Sequence, residues 1–202
     1  SGGSGGNSGS SGGNSGGNSG GIMIRNASLR GVAYTSVVYA SGLYVANNKS
    51  NTAAGGLLIQ SAGAQLYLSN STFTGNESAN SDAGAIYTST GTKVQMKNIT
   101  VTNNKAARAA GMNLYSSTVD ITGLKMHGNA ARGAGGSLAV AGANCQVTVT
   151  DAEIYENEAT SGGAVIVQSG GNLTLENSKL YNNKVKANGA AVYMNSPSVA
   201  TM

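Results

Sequence analysis

Short runs in which apolar and polar residues alternate recur along the chain from Val38 onward. Alternation with a period of two is typical of a β-strand that buries one face, whereas an amphipathic helix repeats its apolar positions every three to four residues. Two of the clearest runs are LYLSNSTFTGN at Leu66–Asn76 and LTLENSKLYNN at Leu173–Asn183. The pattern therefore predicts short β-strands rather than helices.

This eleven-residue segment, called the phrase below, is repeated along the chain at nearly constant spacing. Further copies read VQMKNITVTNN, VDITGLKMHGN and VTVTDAEIYEN, with a looser copy VYASGLYVANN. The closing asparagines of successive copies are 28, 28, 25, 28 and 26 residues apart. A second strand follows each copy after a pair of small residues, as in AGAIYT at Ala83–Thr88. A repeat of this length predicts a solenoid of stacked coils.

Equivalent positions of successive phrases give wholly apolar columns. Burying one such side chain is worth about 1.5–3 kcal/mol, whereas ordering a residue costs about 1.5 kcal/mol. A single coil therefore cannot fold alone, and stacking is obligatory. The predicted columns are Leu66, Val94, Val119, Val147 and Leu173; Leu68, Met96, Ile121, Val149 and Leu175; Phe73, Val101, Met126, Ile154 and Leu180; and Leu58, Ile86, Met112, Leu138, Val165 and Val192.

The closing asparagines themselves form a column without exception. An amide carries both a donor and an acceptor, so identical amides stacked about 4.8 Å apart can bond from coil to coil. We therefore predict an asparagine ladder. Its members are Asn48, Asn76, Asn104, Asn129, Asn157 and Asn183.

Three other columns carry a structural signal. One contains residue types that tolerate a left-handed backbone, as a sharp bend requires: Gly42, Asn70, Asn98, Gly123, Asp151 and Asn177. A second is uniformly small, as a crowded corner requires: Gly56, Gly84, Ala110, Gly136, Gly163 and Ala190. In the third, charges alternate in sign around Ala130, so we predict a charge ladder that fixes register, consisting of Lys49, Glu77, Lys105, Glu158 and Lys184.

These observations predict an all-β protein, a solenoid of about six to seven coils of 25–28 residues. Residues 22–202 form the predicted solenoid. Residues 1–21 contain only Gly, Ser and Asn and are predicted to be an arm or linker, held by a neighbouring copy or along its own domain. The stretch IMIRNASLRG at Ile22–Gly31 fits the opening of the phrase, and we interpret it as a truncated first coil or cap.

Parallel short coils with an asparagine ladder resemble the right-handed parallel β-helix of the pectate-lyase-like superfamily. More specifically, GGAV at Gly162–Val165 and FTGN at Phe73–Asn76 resemble the repeats of chlamydial polymorphic outer-membrane proteins. The resemblance covers the chain from Val38 to about Met194. It implies the coil geometry, whereas these repeats serve many functions in surface proteins.

The composition provides few side chains that could catalyse a reaction or bind a metal ion. The chain has eight carboxylates, one His and one Cys among 202 residues, and no catalytic pair or multi-histidine metal motif is recognisable. We expect no enzymatic activity, cofactor or metal. The scattered charges of +4 net indicate a solvated surface and no nucleic-acid partner. Apolar runs are too short to span a membrane.

Six Asn-x-Ser/Thr sequons occur. Two of them lie in the ladder, where the amides are expected to be committed to hydrogen bonds. The remaining candidate glycosylation sites are Asn26, Asn70, Asn98 and Asn172.

The last predicted strand, within Ala190–Asn195, is followed by NSPSVATM, without an evident amphipathic cap. An open coil edge favours pairing with another subunit, and a head-to-tail contact that does not close yields a filament. We therefore expect a self-assembling structural subunit of an extracellular filament, hair or surface sheath, with itself as partner. One alternative is a surface adhesin or autotransporter-like passenger rod that meets glycans or a cell-surface receptor. Another is a carbohydrate-binding or polysaccharide-degrading β-helix.

Overall fold

The computed structural model describes residues 19–30, 32–195 and 197–202, with the side chains of Leu29 and Val32 excepted. Most of the predicted arm, residues 1–18, lies outside the described residues. Its last residues pair with the following coil, since Ser19 forms a parallel bridge with Ala54 and the N–H of Gly20 donates to the carbonyl oxygen of Ala54 at 2.9 Å.

The described chain is all-β, and its regular elements are strands. They are β1 (Ile22–Ile24), β2 (Ala27–Leu29), β3 (Val32–Tyr34), β4 (Val37–Ser41), β5 (Tyr44–Ala46), β6 (Lys49–Ser50), β7 (Leu57–Ile59), β8 (Gln65–Thr74), β9 (Glu77–Ser78), β10 (Ile86–Thr88), β11 (Lys93–Thr102), β12 (Lys105–Ala106), β13 (Met112–Tyr115), β14 (Thr118–His127), β15 (Ala130–Ala131), β16 (Leu138–Ala141), β17 (Gln146–Thr150), β18 (Glu153–Tyr155), β19 (Glu158–Ala159), β20 (Val165–Gln168), β21 (Asn172–Glu176), β22 (Lys179–Tyr181), β23 (Lys184–Val185), β24 (Val192–Met194) and β25 (Val199–Thr201).

The strands form three parallel sheets that run along a solenoid of about six coils. Sheet I has the order β1-β7-β10-β13-β16-β20-β24. Sheet II has the order β4-β8-β11-β14-β17-β21-β25, with β5, β18 and β22 alongside, and sheet III has the order β6-β9-β12-β15-β19-β23. Each complete coil passes through sheet III, sheet I and sheet II in turn, so the predicted fold class is confirmed.

The core lies between the sheets, where the predicted columns are stacked. Leu66, Val94 and Val119 are direct partners across sheet II, as are Phe73 and Val101. Most of these inward side chains are fully buried, including Phe73 and Ile121. Parallel pairing without a register shift therefore brings each apolar residue over its counterpart in the next phrase.

The prediction for one column was wrong by one residue in its first coil. Ile86 pairs with Leu57, not with Leu58, and the small-residue column accordingly begins at Gly55 rather than Gly56. Leu58 faces the other side of sheet I, where it packs in a small cluster with Ala54 and Ala83. Since Leu57, Leu58 and Ile59 are all apolar, the local sequence offers no alternation that distinguishes the two registers.

The alignment of Ile22–Gly31 with the opening of the phrase was also wrong, although β1 does take the first place in sheet I. Ile22 lies in sheet I opposite Leu57, whereas the phrase alignment placed it in a column of sheet II. Strands β2 and β3 then form an antiparallel hairpin, which reverses next to Arg30 at φ 50°. The reversal interrupts the parallel path between sheet I and sheet II, so this segment does not repeat the strands of the phrase.

Candidate functional site

The six ladder asparagines lie in one row at the corner between sheets II and III. In the first five, the Nδ2 donates to the Oδ1 of the asparagine one coil further on, at 3.0–3.1 Å. The backbone N–H of the same residue donates to the same oxygen, at 2.8–3.1 Å. The row runs through Asn48, Asn76, Asn104, Asn129, Asn157 and Asn183.

From Asn76 onward, each amide also bonds to the coil before it. The Nδ2 of Asn104 donates to the carbonyl oxygen of Phe73 at 3.0 Å, and that of Asn129 donates to the carbonyl oxygen of Val101 at 3.0 Å. Asn76, Asn104 and Asn129 are fully buried. Because one amide links three successive coils, this row has a structural role and leaves no reactive group free.

The backbone bends in two places beside this row. At the predicted bend the φ values are positive, for example 49° at Asn70 and 72° at Gly123. The residue directly before each ladder asparagine is also left-handed, which sequence reasoning missed. This second column is Asn47, Gly75, Asn103, Gly128, Glu156 and Asn182. Its signal was the recurring Asn and Gly one position before the ladder.

The predicted charge ladder is in register across sheet III, with Lys49 beside Glu77 and Glu77 beside Lys105. Lys49 Nζ and Glu77 Oε2 lie 3.3 Å apart. In the same register Ala130 separates Lys105 from Glu158, and Glu158 lies beside Lys184. The row is exposed, so each pair contributes only about 0–1 kcal/mol.

The four candidate glycosylation sites have different surroundings. The amide of Asn26 joins the hairpin to the next coil, because its Oδ1 accepts from the N–H of Ser36 and its Nδ2 donates to Ala62 O at 2.8 Å. Asn98 Nδ2 donates to Asn70 Oδ1 at 3.0 Å. Asn172, at the start of β21, is half-buried. Glycosylation at these positions stays a prediction.

Stacked aromatic rings form two further columns that sequence reasoning missed. The rings of Tyr39 and Tyr67 are 4.6 Å apart and nearly parallel. His127 stacks on Tyr155 at 4.8 Å, and Tyr155 stacks on Tyr181 at 4.9 Å. The detectable signal was an aromatic residue that recurs one repeat length later in the sequence.

Burial is the main cause of the pKa shifts of His127 and Cys145. Burial lowers the pKa of His127 below its ordinary value of 6.5, and the positive charge of Lys125 lowers it further, with Glu156 acting in the opposite direction. Burial raises the pKa of the Cys145 thiol, whose Sγ–H donates to Leu114 O at 3.2 Å. A buried thiol with a raised pKa is a poor nucleophile.

The outer face of sheet II carries an open groove of about 580 Å³ beside the first aromatic pair. Tyr39 is 76% exposed at one end of it. The groove continues along the rod past Gln95, Lys97 and Asp120. Aromatic rings next to amide, ammonium and carboxylate groups give this surface the means to contact a polar ligand.

Neither a metal centre nor a membrane helix is evident in the described residues. Across residues 19–30, 32–195 and 197–202, His, Cys, Asp and Glu side chains do not gather in groups of three or more that would hold a metal ion. The same ranges contain no helix of the length and apolarity needed to cross a bilayer. Asp82 pairs with Arg108, its Oδ1 lying 2.6 Å from Nε.

Comparison with known proteins places this geometry in a family. Searches of the curated proteins and of the solved structures found no match. A family model described as the right-handed beta helix region matches residues 15–201. The match does not single out the chlamydial polymorphic outer-membrane proteins, so that narrower resemblance stays a prediction. Since the match covers most of the chain and agrees with its parallel coils, the protein belongs to the right-handed β-helix family.

Proposed function

We propose that this repeat protein is a self-assembling structural subunit of an extracellular filament, hair or surface sheath, in which the rods stack head-to-tail. The observation that carries the proposal is the placement of exposed aromatic side chains. Tyr39 and Tyr44 are 76% and 74% exposed and lie in the N-terminal coil. Exposed apolar groups that cluster in one region are typical of interaction surfaces.

The two tyrosines can be compared with the residues in the same columns of later coils. Tyr44 lies in β5 directly opposite Thr72 of β8, and the next residue in register is Thr100. The column of Tyr39 continues with Tyr67 and then Gln95 in the next two coils. Beyond Tyr67, the equivalent outward positions of later coils carry polar side chains, so the coil geometry itself does not require tyrosine.

The polarity of the asparagine row supports a heterologous contact. In each link the earlier coil donates and the later coil accepts. The two ends of such a rod therefore differ, and a contact between unlike ends repeats without closing. In this proposal a neighbouring subunit also holds the Gly-rich arm, most of which lies outside the described residues.

Electron microscopy and sedimentation of the full chain test the proposal. The wild type is expected to form regular polymers. A double variant, Tyr39→Gln and Tyr44→Thr, introduces residue types that later coils carry in the same columns and is expected to stay monomeric while remaining folded. Tyr115→Thr, which changes an exposed tyrosine away from this coil, is the matched control and is expected to polymerise. A wild type that stays monomeric at its highest soluble concentration contradicts the proposal.

The groove on sheet II favours a second candidate, a surface rod of adhesin type that binds glycans. Gln95 and Asp120 lie in this groove but outside the N-terminal coil. Gln95→Ala and Asp120→Ala are therefore expected to reduce binding in a glycan-array assay without changing polymer formation. Absence of glycan binding by the wild type removes this candidate and leaves the filament proposal intact.

A further inference from the structure

A second cavity, of about 380 Å³, lies on the outer face of sheet I. Three neighbouring strands contribute two outward residues each: Asn113 and Tyr115 from β13, Ala139 and Ala141 from β16, and Ile166 and Gln168 from β20. The middle strand has only methyl groups at these positions, while its neighbours carry long side chains. The cavity is therefore a depression with an alanine floor and walls formed by larger side chains.

Asn113 is the unusual residue of this cavity. Its side chain is buried, with 8% exposure, and its Oδ1 has no hydrogen-bond partner among the described residues. Its in-register neighbours are Tyr87 and Ala139, so the repeat itself does not require an amide here. A buried polar atom without a partner lowers stability, and native proteins rarely keep one without a reason.

The rest of the cavity limits the chemistry of an occupant. Arg108 and Asp82 meet at one end, with Nη2 of Arg108 2.5 Å from Oδ1 of Asp82, so their charges compensate each other. The floor of Ala139 and Ala141 is apolar, and so is the wall residue Ile166. An uncharged ligand with a flat apolar face suits such a floor. A hydroxyl group both donates and accepts, so it can pair with either end of the Asn113 amide.

We propose that this cavity binds a neutral ring compound that carries a hydroxyl group, with the hydroxyl paired to Asn113 and the ring on Ala139 and Ala141. The side chain of a partner's tyrosine and the pyranose ring of a sugar share this chemistry. The site lies on a different sheet from the groove beside Tyr39, and it goes beyond the proposed assembly function because it needs no second copy of the chain.

Two small probes distinguish a tyrosine side chain from a sugar as the ligand of this cavity. N-acetyl-tyrosinamide and methyl glucoside are titrated separately into the full chain, and the NMR signals of the Ala139 and Ala141 methyl groups are followed. Binding of the first alone assigns the site to a protein side chain, binding of the second alone assigns it to a sugar, and binding of both supports the shared chemistry. Failure of both probes to shift these signals overturns the proposal.

Variants test the assigned roles. Asn113→Leu removes the amide, and Ala139→Leu fills the floor. Each is expected to weaken binding by about tenfold or more, the effect of losing one good interaction. Asn172→Leu changes an asparagine on sheet II and is expected to bind as the wild type does. Unchanged binding by both cavity variants contradicts the proposal.

The stability of Asn113→Leu provides a second readout that needs no ligand. Because the variant removes an unpaired buried oxygen, its thermal unfolding midpoint is expected to equal or exceed that of the wild type. A clear loss of stability would show that the amide serves the fold itself, and it would overturn the assignment of Asn113 to a ligand.

Discussion

Asn76 donates twice to a single oxygen of Asn104, from its side-chain Nδ2 at 3.1 Å and from its backbone N–H at 2.8 Å. One carbonyl oxygen therefore holds both the main chain and the side chain of the preceding coil. Asn104 makes the same pair of bonds to Asn129. A coil displaced by one residue would lose both bonds at once, so the row couples the register of each coil to that of the next.

Replacing Asn104 by alanine is expected to destabilise the fold by about 3 kcal/mol, because it leaves buried groups without partners. The N–H of Asn76 and the carbonyl oxygen of Phe73 both lose a hydrogen bond. Chemical denaturation measures the change in the free energy of unfolding. Asn98→Gly is the control: it removes an exposed amide bond to Asn70 while tolerating the left-handed backbone at this bend, and it is expected to cost about 1 kcal/mol or less. Equal losses for the two variants would contradict a special role of the row.

Gly84→Ala is expected to destabilise by about 2–3 kcal/mol through overpacking. An added Cβ would lie against the carbonyl oxygen of Ala110 and 2.9 Å from the backbone nitrogen of Lys105. Because these are backbone atoms of the adjacent coil, they can move only by separating the coils. Gly42→Asn is the contrasting variant, since nothing lies within 4 Å of its Cβ and asparagine occupies the same bend column elsewhere. Its denaturation midpoint is expected to stay close to that of the wild type.

Glu77→Lys tests the charge ladder. It would place a lysine between Lys49 and Lys105, which are the register neighbours of Glu77 in sheet III. A loss of about 1 kcal/mol is expected at low ionic strength. The loss should shrink in about 1 M salt, where the Debye length falls to about 3 Å. Denaturation at two salt concentrations measures it, with Glu77→Gln as the neutral control. A loss that does not depend on salt would mean that packing, not charge, is responsible.

His127 is expected to titrate below pH 6.5, since burial and Lys125 both lower its pKa. The pKa in the folded chain is thus below that in the unfolded chain, so the unfolded state binds the proton more readily. The associated stability is fully present above about pH 6.5 and decreases as the pH falls toward the folded-state pKa. An NMR titration of this single histidine measures the pKa. Lys125→Gln should raise it only in part, because burial is the larger cause.

The arrangement of the repeats was predictable because each repeat places the same residue types at the same inward and bend positions. The spacing of Asn76, Asn104 and Asn129 by whole repeat lengths implied that they share a column, and the alternation around Leu66 and Leu173 implied which side chains face inward. Positive φ at Asn70 and Asp151 likewise follows from residue type at a bend. These inferences needed only the amino-acid sequence and the assumption of parallel stacking.

Other features depended on contacts that no single phrase contains. The register of Leu57 against Ile86 cannot be read from the local pattern, because three successive apolar residues offer no alternation. The hairpin at Ala27–Tyr34 depends on antiparallel pairing in place of stacking. The pair formed by Asp82 and Arg108 joins loops of successive coils.

The sequence by itself determined that the chain forms stacked parallel coils, since a short coil with few apolar residues is stable only when identical neighbours cover it. It also determined which asparagines share a row. Only the tertiary structure decided where the outer surface holds a cavity and which polar atom within it lacks a partner. Those properties arise from the sizes of side chains on three adjacent strands, and residues such as Asn113 and Ala139 are brought together by the stacking of coils rather than by their order in the chain.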